Sequence, residues 1–314
     1  MRVLVTGGAG FLGSHLVDAL VERRDEVVVL DNLRRGRLSH LSARLDEHQI
    51  TLLTEDIRDY ASVMRAMADA EIVYHLAAQS NVMGAIQDID YSFTTNVLGT
   101  FNVLKAAAAQ GVRRVVFASS REVYGEPDRL PVSEEAPLEA KNPYGASKVA
   151  AEAYCRAWQG VSSLECLVLR FANIYGPRDR DRVIPLWLEW AQQGKDLKLY
   201  GGQQVLDFLW VGHAVVALIA AASCPANGPV NVGSGRGVPL LDLAQHILTI
   251  TGSRSEVKNR PAREVEVVRF VADVRKMRSV LGVEPPENSL SELSLMWSEE
   301  CQSQKGASWV TSSS

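Results

Sequence analysis

Tyr144 and Lys148 stand four residues apart in Tyr144-Gly145-Ala146-Ser147-Lys148. On a helix, that spacing sets both side chains on one face. A free tyrosine ionises near pH 10, too high for a base at neutrality, and a neighbouring ammonium favours its phenolate. Upstream, Ser119-Ser120-Arg121-Glu122-Val123-Tyr124 offers Ser120 as a donor to the same substrate oxygen. The three groups suit removal of a proton from an alcohol under oxidation, given a hydride acceptor beside its carbon. Taken alone, Tyr-x-x-x-Lys is equally a surface helix pair.

The start of the chain reads as the seat of that hydride acceptor. Val3-Leu4-Val5-Thr6-Gly7-Gly8-Ala9-Gly10-Phe11-Leu12-Gly13 is a short apolar strand, a glycine turn and the head of an amphipathic helix. Gly7 allows the turn, Gly10 lets backbone approach a pyrophosphate, and Gly13 lets the helix pack on the strand. Backbone N–H groups at the helix start hold an anion without a cationic side chain. A second apolar run, 27–30, ends in Asp31, which can accept from ribose hydroxyls and repels a 2′-phosphate. NAD is therefore expected rather than NADP, with Arg34 and Arg35 close behind to soften the choice.

Bulk properties narrow the field. With 314 residues, 46% of them hydrophobic, the chain makes one large domain or two intimate ones. A net charge of −4 gives no general case for nucleic acid or for an acidic membrane. Cys155, Cys166, Cys224 and Cys301 are scattered without metal-like pairing, so no metal is expected and a reduced, cytoplasmic setting fits. The first strand begins at once, so no signal peptide is expected, and no apolar run reaches spanning length.

Short apolar runs alternating with amphipathic segments must position these groups. Strands are predicted over 50–53, 72–75, 115–118 and 164–171. Helices are predicted from Tyr60, capped by Asp59, over 91–110, and from Tyr144; the basic stretch 34–44 reads as a short exposed helix. Repeated strand–helix units give an α/β fold, a doubly wound parallel sheet of Rossmann type, with ligands at the carboxyl ends of its strands. After Gly176-Pro177 the rhythm changes. A charge run at 178–182 leads to a helix (184–193) and a strand (197–200). Strands at 205–210 and 229–232 are expected to return to the main sheet or its rim. A helix (240–251), a strand (265–270) and a weak helix (290–297) follow. The expected domains are 1–175 for the cofactor, with returning segments near 205–235. A smaller α/β substrate lobe takes 176–204 and 236–300, and 301–314 forms a flexible tail.

The motifs TGGAGFLG, HLAAQS, SSREVYG, YGASK and LRFANIYGP, in this order and spacing, resemble the extended short-chain dehydrogenase/reductase family. The branch is that of NAD-dependent nucleotide-sugar epimerases and dehydratases, and the resemblance covers residues 1–281. It implies a Rossmann domain with tightly held NAD, a C-terminal lobe gripping a nucleotide sugar, UDP by family frequency, and a homodimer through helices 91–110 and 144–159. It makes Tyr144 the base, Lys148 its electrostatic partner and nicotinamide-ribose ligand, and Ser120 the hydroxyl polariser. Gly7, Gly10, Phe11 and Leu12 would meet the pyrophosphate, Asp31 and Asn32 the adenosine ribose, Asp56 and Ile57 the adenine. Leu76, Ala77, Ala78 and Ser119 would line the cofactor channel, with Asn96 nearby. Ser80 and Asn173 fall to the substrate, Asn173 at its diphosphate, and Tyr200 lines the nucleoside pocket.

Two departures from the family pattern matter. Leu206-Asp207-Phe208 stands where an Arg-Asp-Phe run is usual, removing a diphosphate contact that Arg182 or Arg260 would have to replace. Val211-Gly212-His213 replaces the usual acid of the following helix, and His213 reads as a rim or packing residue. The reaction expected is epimerisation at C4 of a UDP-sugar of the glucose/galactose or glucuronate type through a 4-keto intermediate. The alternative is a dehydratase or decarboxylase in which Glu122 abstracts the C5 proton after the same oxidation. Against elimination, Arg121 occupies the place of the acid that would protonate the leaving hydroxyl. Arg178, Arg180 and Arg182 either favour an acidic sugar or form a solvated loop. A non-catalytic NAD-binding role is the third reading, disfavoured because Tyr144 and Lys148 are both present.

Overall fold

The computed structural model describes residues 1–299; the tail expected over 301–314 lies outside the described residues. Five apolar runs of the first half and two later ones build a seven-stranded, all-parallel sheet. They are β1 (Arg2–Thr6), β2 (Glu26–Leu30), β3 (Ile50–Leu53), β4 (Ile72–His75), β5 (Arg114–Ser120) and β6 (Glu165–Phe171), with the later β10 (Gly228–Val232) at one edge. The spatial order is β10-β6-β5-β4-β1-β2-β3. The order reverses between β1 and β4, and a crevice opens there beyond the carboxyl ends of the strands.

Alternation divides the core. Val3 and Val5 of β1 pack into one apolar cluster with Leu16, Leu20 and Tyr74, while Leu4 faces a second with Val73, Val115 and Phe117. Both faces of a parallel sheet are thereby covered, as its continuous hydrophobic strands require. Asp59 caps the helix Tyr60–Ala66 by accepting from Ala61 N and Ser62 N, as its sequence position predicts.

The second half forms a smaller lobe. β7 (Asn173–Tyr175), β9 (Val205–Trp210), β11 (Gly237–Pro239) and β13 (Arg269–Phe270) make one sheet, and β8 (Leu197–Tyr200) pairs with β12 (Val257–Arg260) in another. A third cluster, with Tyr175, Trp187, Leu199, Phe208 and Leu243, fills its interior.

Several elements differ from expectation. β9 does not rejoin the main sheet; it lies between β11 and β13 and also pairs with β7, so only β10 returns. The strand expected over 265–270 shortens to Arg269–Phe270 because a turn, closed by Glu266 N donating to Arg263 O, occupies its start. The basic stretch breaks into a single turn, Leu38–His40, and a short helix, Ser42–Asp46. The helix expected over 91–110 starts at Ile89 and loosens into a π-turn over Thr94–Gly99. No helix among the described residues is long and apolar enough to cross a membrane.

Candidate active site

One cavity of about 1220 Å³ runs from the glycine turn, across the ends of β4 and β5, into the lobe. At its cofactor end, Gly7 adopts φ +74°, and a Cβ there would sit 2.7 Å from Ala77 N. A Cβ on Gly13 would lie 2.1 Å from Gly7 O. The turn and helix are therefore pressed together in a way that only glycine permits. The helix Phe11–Glu22 begins behind Gly10 with no side chain capping it, and Phe11 and Leu12 face the cavity. That leaves first-turn N–H groups for an anionic ligand. Asp31 is buried at the end of β2, accepting from Ala9 N at 3.0 Å and Leu33 N at 2.8 Å. Burial raises its pKa and the two backbone donors lower it in part. The donor set and the close glycine packing fit a dinucleotide.

Leu76, Ala77, Ala78, Ser80, Asn32 and Ile57 also line this cavity, whereas Asp56 and Asn96 do not. Asp56 pairs with Arg58 and accepts from Asn32 Nδ2. Asn96 stands behind the wall, accepting from Gln79 N and donating to Gln79 O and Ser147 Oγ. It shapes the lining without entering it. Beneath the floor, Thr6 Oγ1, His75 and Thr100 Oγ1 form a buried hydrogen-bonded chain. Burial, helped by Lys148, brings His75 down to about 3, so its ring is neutral.

The catalytic candidates meet where β5 ends. Asn142 caps the helix Pro143–Val161, accepting from Gly145 N at 2.9 Å, with proline in the first turn. Tyr144 is thus fixed at the helix head. Its hydroxyl is hydrogen-bonded to Ser120 and is buried. Lys148 lies one turn on, 6.0 Å from the Tyr144 ring centre, and its Nζ donates to Ala118 O at 2.8 Å.

The expectation that Lys148 depresses the Tyr144 pKa needs correction. Burial raises Tyr144 above its ordinary value, opposed by the Ser120 hydrogen bond and the charges of Arg182 and Arg121, with Glu122 adding to the rise. Lys148 is itself brought down to about 8 by burial. A charge in an apolar wall costs more than a neighbour at this separation returns.

Ser119 lines the cavity, but its hydroxyl donates to Glu152 Oε1 at 2.5 Å. Glu152 in turn holds Arg170 through three hydrogen bonds of 2.6–3.1 Å. This buried group braces β5 against β6 beneath the site. Glu122, one residue beyond Arg121, has both carboxylate oxygens engaged. Oε1 meets Arg121 Nη2 at 2.9 Å, and Oε2 accepts from Asn142 Nδ2 at 2.8 Å.

On the lobe side, Asn173, Arg182 and Tyr200 line the cavity. The Asn173 amide accepts from Arg121 Nε and donates to Asp207 O. Arg182 pairs with Asp179 at 2.8 Å and lies 5.4 Å from the Phe11 ring centre. Arg260 is exposed and outside the cavity lining; Arg263, which the sequence reading passed over, is inside it. Arg263 stacks 3.7 Å from the Tyr200 ring centre and pairs with Glu266. Three residues on an irregular segment decide which guanidinium faces in, and periodicity carries no signal for that. His213 is half-buried and its Nδ1 has no partner among the described residues. Among these residues no cluster of His, Cys, Asp or Glu could hold a metal.

Comparison with known proteins places this geometry among relatives. Residues 3–233 match the NAD dependent epimerase/dehydratase family. A putative UDP-glucose 4-epimerase of Methanocaldococcus jannaschii is 35% identical over 289 residues, 90% of this chain and 93% of that protein. The crystal structure of a UDP-glucose 4-epimerase from Thermotoga maritima, solved with UDP-glucose, superposes with a TM-score of 0.92 at 31% identity, covering 97% of this chain and 100% of that one. A dTDP-glucose 4,6-dehydratase from Streptomyces venezuelae, solved with NAD, gives a TM-score of 0.91 at 31% identity, covering 96% and 97%.

Proposed function

The chain belongs to the NAD dependent epimerase/dehydratase family, and we propose that it inverts C4 of a UDP-sugar through a transient 4-keto sugar. NAD, when bound, supplies the hydride acceptor and returns the hydride. Gly7, Gly10, Phe11 and Leu12 would hold its pyrophosphate, Asp31 its adenosine ribose and Lys148 its nicotinamide ribose. Tyr144 Oη takes the proton of the 4-hydroxyl, and Ser120 Oγ donates to the same oxygen. The proton returns from Tyr144 to the other face once the keto sugar has turned. The sequence of steps needs no second acid or base.

The observation that carries epimerisation over elimination is the state of Glu122. Both of its oxygens accept from cationic or amide donors, Arg121 and Asn142. A general base must have a lone pair free to reach the proton it abstracts. The acid that elimination also needs is replaced by Arg121, a group that stays protonated. The related structures include both a UDP-glucose 4-epimerase and a 4,6-dehydratase, so the product decides. Purified protein given UDP-glucose, UDP-N-acetylglucosamine and UDP-glucuronate in turn, with NAD, should yield a product of unchanged mass with an inverted C4 proton signal. Loss of water or carbon dioxide would overturn this reading and return Glu122 to the role of base.

A further inference from the structure

Taking as given that Tyr144 and Ser120 act on the 4-hydroxyl, we propose that Arg121 Nη1 binds a carboxylate at C6, so that the sugar is a uronic acid carried on a nucleoside diphosphate. Arg121 follows Ser120 directly and lines the same cavity. A guanidinium is planar, with five N–H donors in fixed directions. Two of its nitrogens are committed: Nη2 to Glu122 Oε1 at 2.9 Å and Nε to Asn173 Oδ1 at 3.3 Å. Those contacts orient the fork. Nη1 is buried and has no acceptor among the described residues. The side chain is 11% exposed, so the environment gives this nitrogen little water. A buried donor without a partner costs about 1–3 kcal/mol, and more when charged. An acceptor is therefore expected at Nη1 during the working cycle.

The reacting centre limits what that acceptor is. With the C4 oxygen between Tyr144 and Ser120, a side chain one residue further along the same turn meets a substituent next to C4. The choices are the 3-hydroxyl and the C6 group borne on C5. A hydroxyl brings no charge, whereas a carboxylate makes a charge-assisted bond roughly twice as strong. The surrounding charges favour the anion. Arg182 also bears on the Tyr144 hydroxyl. Glu122 is neutralised by Arg121, and Glu266 is paired with Arg263. Asp207 spends both oxygens on Ser234, Gly235 and Ala272.

Dissociation constants measured by calorimetry test this assignment, with NAD supplied and Tyr144→Phe halting turnover. The probes are UDP-glucuronate, UDP-glucose and UDP alone. UDP-glucuronate should bind about tenfold or more tightly than UDP-glucose, the equivalent of one charge-assisted contact. Adding Arg121→Gln should bring that ratio to about one while UDP alone keeps its affinity, a change that loss of a merely structural contact would not confine to the uronate. Equal affinity for the two sugars in the Tyr144→Phe protein overturns the assignment with no change at position 121, and so does a preference that survives Arg121→Gln. The product is read separately. Wild-type protein that prefers UDP-glucuronate yet releases carbon dioxide would remove C4 inversion and leave the role of Arg121 standing.

Discussion

Lys148 must stay charged in a place that resists charge. Burial brings its pKa from the ordinary 10.5 to about 8. If its ammonium supports Tyr144 and the nicotinamide ribose, turnover should fall on the alkaline side with a midpoint near 8. Lys148→Arg, whose guanidinium keeps its proton, should shift that limb to higher pH even if the rate drops. Stability moves the other way. The folded pKa is the lower one, so the unfolded chain binds the extra proton between about 8 and 10.5. The burial cost is fully present below about 8 and is relieved as pH rises through that window. A rate profile and a denaturation series on the same samples should therefore diverge above pH 8; a parallel fall would mean that the alkaline limb is unfolding. At this scale much was legible beforehand. Tyr144, Ser120 and Asp31 carry signatures of type and spacing, and all three line one cavity. Arg263 was not legible, because its inward position depends on the turn it closes with Glu266 rather than on any local pattern.

Element by element, Asp207 shows how the lobe is held. It is fully buried, and its carboxylate accepts from Ser234 N and Oγ, Gly235 N and Ala272 N at 2.6–3.0 Å. One side chain thus ties β9 to the loop after β10 and to the segment after β13. Asp207→Asn would turn an amide N–H₂ toward backbone donors and should cost about 2–4 kcal/mol of stability in urea unfolding; a change below 0.5 kcal/mol would deny it this role. The sequence reading placed β9 in or beside the main sheet because an apolar run of six announces a strand but not its neighbours. β12, Val257-Lys258-Asn259-Arg260, escaped notice for the opposite reason. It is mostly exposed and polar, and it is a strand because β8 pairs with it. The π-turn at Thr94–Gly99 keeps helical spacing within a residue, so periodicity alone cannot reveal it.

Across the whole molecule, helices near Phe93 and Tyr154 leave an apolar face toward solvent. Phe93 is 58% exposed, Leu98 43% and Tyr154 38%, around a shallow hollow that also includes Val97 and Phe101. The expected homodimer would cover this face. Sedimentation should give twice the 34.4 kDa chain mass, and Phe93→Glu should shift it toward one chain; a native monomer at micromolar concentration would remove the dimer. The path of the chain between its two sheets has another consequence. It leaves the main sheet after β6, builds β7 to β9 in the lobe, returns for β10, and departs again for β11 to β13. No single junction separates the part that would hold the cofactor from the part that would choose the sugar. Recombination that grafts one lobe onto another chain would have to join at two or more places at once, each beside the cavity. In such a molecule, new sugar preferences are reached more readily by single substitutions at positions such as 121, 206 and 263 than by exchange of modules, and the inheritance of specificity becomes a history of point changes.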